Sequence, residues 1–154
     1  MLKSKRVPQA DILDDVINTV QYVDRHPKCS DKKIAKFIGK VDRQGRYYRH
    51  AAVLLGLINN YQNEAWITNE GTHFLTLSKQ EQEEYLRNKI SNIEVFELAI
   101  DYIKNNPGCT VYDIEGLLVR EGIVKLAERR SKTVVAWLID LGIVRLNGES
   151  LSIR

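Results

Sequence analysis

A chain of 154 residues, 44% apolar and 28% charged, has ordinary globular composition and room for one domain or two small ones. No apolar run approaches the roughly 20 residues that a bilayer-spanning helix needs, and Met1-Leu2-Lys3-Ser4-Lys5-Arg6 lacks the apolar stretch of a secretory signal, so a cytoplasmic protein is expected. The net charge is only +3, which excludes a strongly polyanionic or polycationic chain and leaves the distribution of charge as the informative quantity.

From the N-terminus, Ile12, Leu13, Val16, Ile17, Val20 and Val23 recur at helical spacing and predict a helix with one apolar stripe, ended by His26-Pro27. Ser30 is placed to cap a second helix with Asp31 in its first turn. Ile34, Phe37 and Ile38 are its expected buried side, Lys32, Lys33, Lys36 and Lys40 its solvent side, and Gly39 its stop. Asp42 is expected to cap a third helix that runs to Leu55-Gly56. Leu57-Ile58 and Ala65-Trp66-Ile67-Thr68 then flank a polar stretch and predict a hairpin. Residues 68–90 read as an acidic helical arm, with one short helix opening at Asn69-Glu70-Gly71 and a longer one capped by Ser78.

About eighty residues on, the chain repeats itself. His26-Pro27-Lys28-Cys29-Ser30, Ile34 and Ile38 return as Asn106-Pro107-Gly108-Cys109-Thr110, Ile114 and Leu118. Leu55-Gly56-Leu57-Ile58 returns as Leu141-Gly142-Ile143-Val144. The alignment needs six extra residues in the second copy, before its third helix, which is expected to open at Glu128. Phe96, Ala99, Ile100 and Ile103 mark the second copy's first helix, Thr110 with Asp113 the cap of its second, and Asn147-Gly148 the turn of its hairpin. An internal repeat this long implies two copies of one structural unit.

Three short helices followed by a hairpin is the order of a winged helix-turn-helix. The expected fold is therefore mainly α with short β-hairpins: two tandem winged helix-turn-helix units joined by a helical arm. Residues 1–67 form the first unit with a basic N-terminal tail, 68–90 the arm, and 91–154 the second unit. Units of this size sit near the lower limit for an independent core. Cys29 and Cys109, at matching positions, read as buried fillers rather than a crosslink, and Trp66 and Trp137 as hydrophobic anchors.

Charge gathers at the same place in both copies. Residues 28–49 carry eight Lys or Arg against two acids and residues 120–132 five against two, whereas residues 62–101 carry eight acids against three bases. On a helical wheel the third helix of the first copy has Tyr48, Ala51, Ala52 and Leu55 on one side and Arg43, Arg46, Tyr47 and His50 on another, with Gln44 and Arg49 beside them. The second copy sets Val134, Trp137, Leu138 and Leu141 against Arg129, Lys132, Thr133 and Ala136, with Arg130 at the helix start. A buried stripe behind a donor-rich face is what base reading requires: Arg pairs bidentately with guanine and Gln with adenine. Lys32, Lys33, Lys36 and Lys40 on the preceding helix are suited to phosphate, and the hairpin residues Asn60, Gln62 and Asn63 to phosphate or a groove.

The phrase Asp42-Arg43-Gln44-Gly45-Arg46-Tyr47-Tyr48, followed by Leu55-Gly56-Leu57-Ile58 and Trp66-Ile67-Thr68-Asn69-Glu70-Gly71, resembles the winged-helix recognition regions of type II restriction endonucleases, FokI-like type IIS enzymes in particular. The resemblance covers residues 10–153. It implies tandem winged-helix units on duplex DNA, with Arg43, Gln44, Arg46, Tyr47 and His50 reading bases in the first and Arg129, Arg130, Lys132 and Thr133 in the second. The PD-(D/E)XK nuclease pattern of that family does not occur in this chain, and neither does a nucleophile-base pair, a phosphate-binding glycine loop or a metal-ligand spacing. The expectation is a monomeric, non-enzymatic, sequence-specific binder of double-stranded DNA without catalytic residues, metal or cofactor. It would act as a target-recognition module, with a nuclease domain or subunit as a further partner and no membrane. A winged-helix transcriptional regulator and a protein-interaction scaffold are the alternatives.

Overall fold

The computed structural model describes residues 1–154. After a single 3-10 turn at Ser4–Arg6, the chain forms α1 (Leu13–Arg25), α2 (Asp31–Phe37), α3 (Asp42–Leu54), β1 (Ile58–Tyr61) and β2 (Glu64–Ile67). It continues through α4 (Asn69–Thr76), α5 (Lys79–Ile90), α6 (Glu94–Asn105), α7 (Val111–Arg120), α8 (Ala127–Asp140), β3 (Val144–Asn147) and β4 (Ser150–Ile153). The protein is thus mainly helical with two small antiparallel hairpins, β1–β2 and β3–β4. No helix is long and apolar enough to cross a membrane.

The contacts divide the chain into a first unit, Ile12–Tyr85, and a second, Met1–Asp11 together with Leu86–Arg154. In the first unit, Val16, Val20 and Val23 of α1 are fully buried, as are Ile34 and Ala35 of α2 and Tyr48, Ala51 and Ala52 of α3. Ser30 caps α2 by accepting from the Lys33 amide. Asp42, expected as the cap of α3, is instead its first helical residue after Val41, where its carboxylate faces the positive end of the helix dipole. Phe37, expected inside, is 51% exposed; its ring packs on Tyr22, 4.7 Å between centroids, at the surface end of α1.

Strands of four residues make a hairpin that is marginal by itself. In each copy the hairpin gains a third partner, because the segment before the second helix bridges to it. The Lys28 amide donates to the Ala65 carbonyl at 2.8 Å and the Ala65 amide to the Cys29 carbonyl at 3.1 Å. In the second copy Gly108 donates to Leu151 at 2.8 Å and Leu151 to Cys109 at 2.7 Å. The sequence repeat is therefore a repeat of backbone hydrogen bonding. The turn of the second hairpin is Gly148-Glu149, one residue later than the expected Asn147-Gly148, since Asn147 pairs with Ser150.

The second unit is centred on Trp137, fully buried and stacked on Phe96 at 5.4 Å. Its indole N–H donates to the Ala10 carbonyl at 2.8 Å. Residues 1–11, read from sequence as a basic tail of the first unit, belong here because Leu2, Val7 and Ala10 are buried while Lys3, Lys5 and Arg6 stay outside. The residues expected as a separate arm divide as well: α4 and α5 up to Tyr85 group with the first unit, and Leu86 and Ile90 with the second. Thr110 and Asp113 form the expected capping box at the start of α7. Helix α8 begins one residue before Glu128, after Leu126 in a left-handed conformation.

Two consequences of this packing are measurable. Gly45 lets α3 approach α2 so closely that a Cβ would lie 2.1 Å from the Asp31 carbonyl oxygen, so Gly45→Ala should lower stability in urea unfolding by about 1–3 kcal/mol or more. Cys29 and Cys109 are free and buried, and burial pushes both thiols up from their ordinary value. Both should resist a thiol reagent at neutral pH in the native protein and react fully in denaturant.

Candidate nucleic-acid interface

Helix α3 is held by its inner face. Tyr48 is 1% exposed, and its hydroxyl accepts from the Ile12 amide at 3.2 Å. Because α3 is pinned there, Arg43 and Arg46 are exposed on the outer side, with Gln44, Tyr47 and His50 half-buried. Lys32, Lys33 and Lys36 are exposed on α2.

The N-terminal halves of α2 and α3 and the tip of the β1–β2 hairpin enclose an open concavity of about 670 Å³. It is lined by Asp31, Lys32, Asp42, Arg43, Arg46, Arg49, Asn60, Gln62 and Asn63. Gln62 and Asn63, with φ of 48° and 59°, form the two-residue turn that carries the hairpin tip to this place. Lys32, Arg43 and Arg46 enter no ion pair within the chain. Three cations therefore face an open surface together with three side-chain amides, which is a donor set suited to phosphate oxygens and base edges.

Arg49, one of the expected contact residues, has a different task. Its guanidinium is paired with the Asp31 carboxylate and also donates to Asn63 Oδ1 at 3.3 Å, while the Asp31 amide donates to that same Oδ1 at 3.0 Å. The two ion-pair side chains are 15% and 19% exposed. This brace ties α3, the start of α2 and the hairpin tip together and so sets the width of the concavity. Its partner Asp31 lies eighteen residues away in sequence, which is why periodicity did not reveal it. Lys40 is likewise engaged, 3.3 Å from Asp15 and with its ammonium 5.2 Å from the centre of the Tyr48 ring.

The second unit places its candidates differently. Arg129 and Lys132 are exposed on α8, with the Lys132 ammonium 2.9 Å from Glu128. Arg130 and Thr133 are interior and present nothing to a ligand. Arg130 is 8% exposed and donates to the Lys125 carbonyl at 2.8 Å, and Thr133 is fully buried with its hydroxyl donating to Arg129 at 3.1 Å. The six inserted residues explain the first case, because they bring the Lys125 carbonyl over the start of α8. The cleft equivalent to the basic concavity is smaller, about 210 Å³, and is lined by Thr110, Val111, Tyr112, Val135, Leu146, Gly148, Glu149 and Leu151. Where the first copy has Lys32, Arg49 and Asn60, the second has Tyr112, Val135 and Leu146. The basic concavity is thus a property of the first copy.

The family described as Domain of unknown function (DUF7226) matches residues 15–141, and the chain belongs to that family. No curated protein matches it in sequence. Among solved structures it is similar to the mRNA-binding domain of elongation factor SelB from E. coli in complex with SECIS RNA, at 10% identity over 99% of each chain, with a TM-score of 0.35.

The brace can be separated from the ligand-facing residues by stability alone. Arg49→Ala should cost about 1–2 kcal/mol in urea unfolding, since it strands Asp31 and loosens the hairpin tip. Arg43→Ala and Arg46→Ala should leave the unfolding midpoint where it is.

Proposed function

We propose that this DUF7226 member binds double-stranded DNA in a sequence-specific manner through its first unit. In this reading the unit works as a winged helix-turn-helix, with α3 as reader and β1–β2 as wing. The observation that carries it is the convergence of Lys32, Arg43 and Arg46, none held in an ion pair, with Asn60, Gln62 and Asn63 at one open concavity. An α-helix fits the major groove of B-form DNA, about 12 Å wide, and the outer face of α3 carries the side chains that read guanine there. Arg43 and Arg46 are the base readers, with Gln44, Tyr47 and His50 at their side. Lys32, Lys33, Lys36 and the wing amides hold phosphate and set register.

The second unit contributes Arg129 and Lys132 from α8. Its role is auxiliary in this reading, because its own concavity is apolar. A target-recognition module working with a separate nuclease is the assignment that the resemblance of residues 42–48 and 66–71 favours; a transcriptional regulator would use the same chemistry. The apolar cleft at Tyr112, Val135 and Leu146 is what supports the other reading, a protein-interaction scaffold.

Selection of duplexes from a random pool should enrich one word. Binding to that word should weaken steeply with salt, with log affinity falling against log salt at a slope of about −3 to −4.5 for the cations named. Arg43→Ala or Arg46→Ala should relax the preference at single positions, corresponding to about 1–3 kcal/mol of discrimination each, whereas Lys36→Ala should weaken all sequences alike. A salt slope near zero, or equal effects of all three changes on every sequence, would remove the proposal.

A further inference from the structure

The two copies share their helix order, hairpin register and bridging hydrogen bonds, so an exposed hairpin residue that differs between them is not one that the shared hairpin geometry demands. Three such differences meet on the outer face of the β1–β2 hairpin. The register Asn59↔Trp66 and Tyr61↔Glu64 puts these four residues on the side opposite Ile58, Asn60, Ala65 and Ile67. Trp66, expected from sequence to be an anchor, is 40% exposed there, and Tyr61 is 69% exposed. The same positions of β3–β4 hold Ser152 and Asn147. Neither aromatic ring is therefore needed to build the hairpin.

The third difference is Lys28, whose ammonium lies 5.4 Å from the centre of the Trp66 ring. Its backbone φ is 69°, in the left-handed region that favours glycine, and the second copy has Gly108 at this place with φ 91°. The first copy thus keeps a lysine in an unfavourable backbone conformation beside an exposed indole. Such strain persists where surrounding structure and function hold it.

We propose that this outer face is a stacking platform for an unpaired base adjoining the duplex held in the groove. The target would then be DNA with a single-stranded flank. This rests on the groove reading given above. Indole and phenol rings stack on the π-face that every base presents, and a neighbouring cation meets the backbone phosphate. Glu64, which shares the outer face with Tyr61, repels phosphate from that end of the face and leaves the Trp66–Lys28 end as the strand's path. A protein partner is disfavoured because the rings are interrupted by Asn59, Glu64 and Lys28 and form no continuous apolar patch.

The test compares a blunt duplex of the selected sequence with the same duplex carrying a 5′ or a 3′ thymidine tail, using anisotropy and tryptophan emission. Trp137 is fully buried, so a change in quenching by iodide reports Trp66. One of the tails should tighten binding about tenfold and protect Trp66 from iodide. Trp66→Ser and Tyr61→Asn install the second copy's residues; both should melt like the parent and bind blunt duplex equally, and Trp66→Ser should abolish the gain. If blunt duplex binds with a steep salt slope while neither tail adds affinity nor protects Trp66, the platform is wrong and the groove reading stands. A gain that survives Trp66→Ser likewise overturns the platform. If neither duplex binds, both readings fall together.

Discussion

The first unit depends on a small constraint: the two backbone hydrogen bonds that join Lys28 and Cys29 to Ala65. Through them a hairpin too short to stand alone gains a third extended partner, and the start of α2 is fixed beside it. Helix α3 is then packed on α2 through Gly45, and the hairpin tip is drawn to both helices by Asp31, Arg49 and Asn63. The concavity proposed to hold DNA is the space that remains between these elements. Its shape follows from backbone pairing, close helix contact and the Asp31–Arg49–Asn63 brace, and its charge from the side chains that face outward.

Since Cys109 and Leu151 make the same bridge, the second unit shows what the architecture requires apart from any ligand. Both copies keep an apolar inner face on the third helix and the hairpin register. They part at the surface, where Lys32, Arg49, Asn60 and Asn63 stand against Tyr112, Val135, Leu146 and Glu149. The first copy has a polar concavity braced by an ion pair where the second has an apolar cleft of similar placement. The two surfaces are consequently suited to different contacts, while the apolar inner face of the third helix is common to both.

Much of the candidate site could be read from residue spacing. The 3.6-residue period separated Tyr48, Ala51, Ala52 and Leu55 from Arg43 and Arg46, and the structure buries and exposes these as that period requires. Periodicity failed where a partner distant in sequence competes for a side chain. Arg49 lies near the outward face yet is taken by Asp31, and Arg130 is drawn inward by a carbonyl from the inserted residues. Trp66 failed in the opposite direction, because aromatic size suggested a core anchor while strand alternation placed it outside.

The amino-acid sequence by itself determined the repeat, the mainly helical character, the positions of both hairpins and the division of each third helix into two faces. These are local properties, set by the period of apolar residues, by caps such as Ser30 and Thr110, and by turn residues. Tertiary structure alone decided that residues 1–11 pack with the second copy, that one concavity is basic and the other apolar, and which arginines remain unpaired. Those outcomes depend on distances between groups tens of residues apart along the chain, and such distances exist only once the backbone has closed.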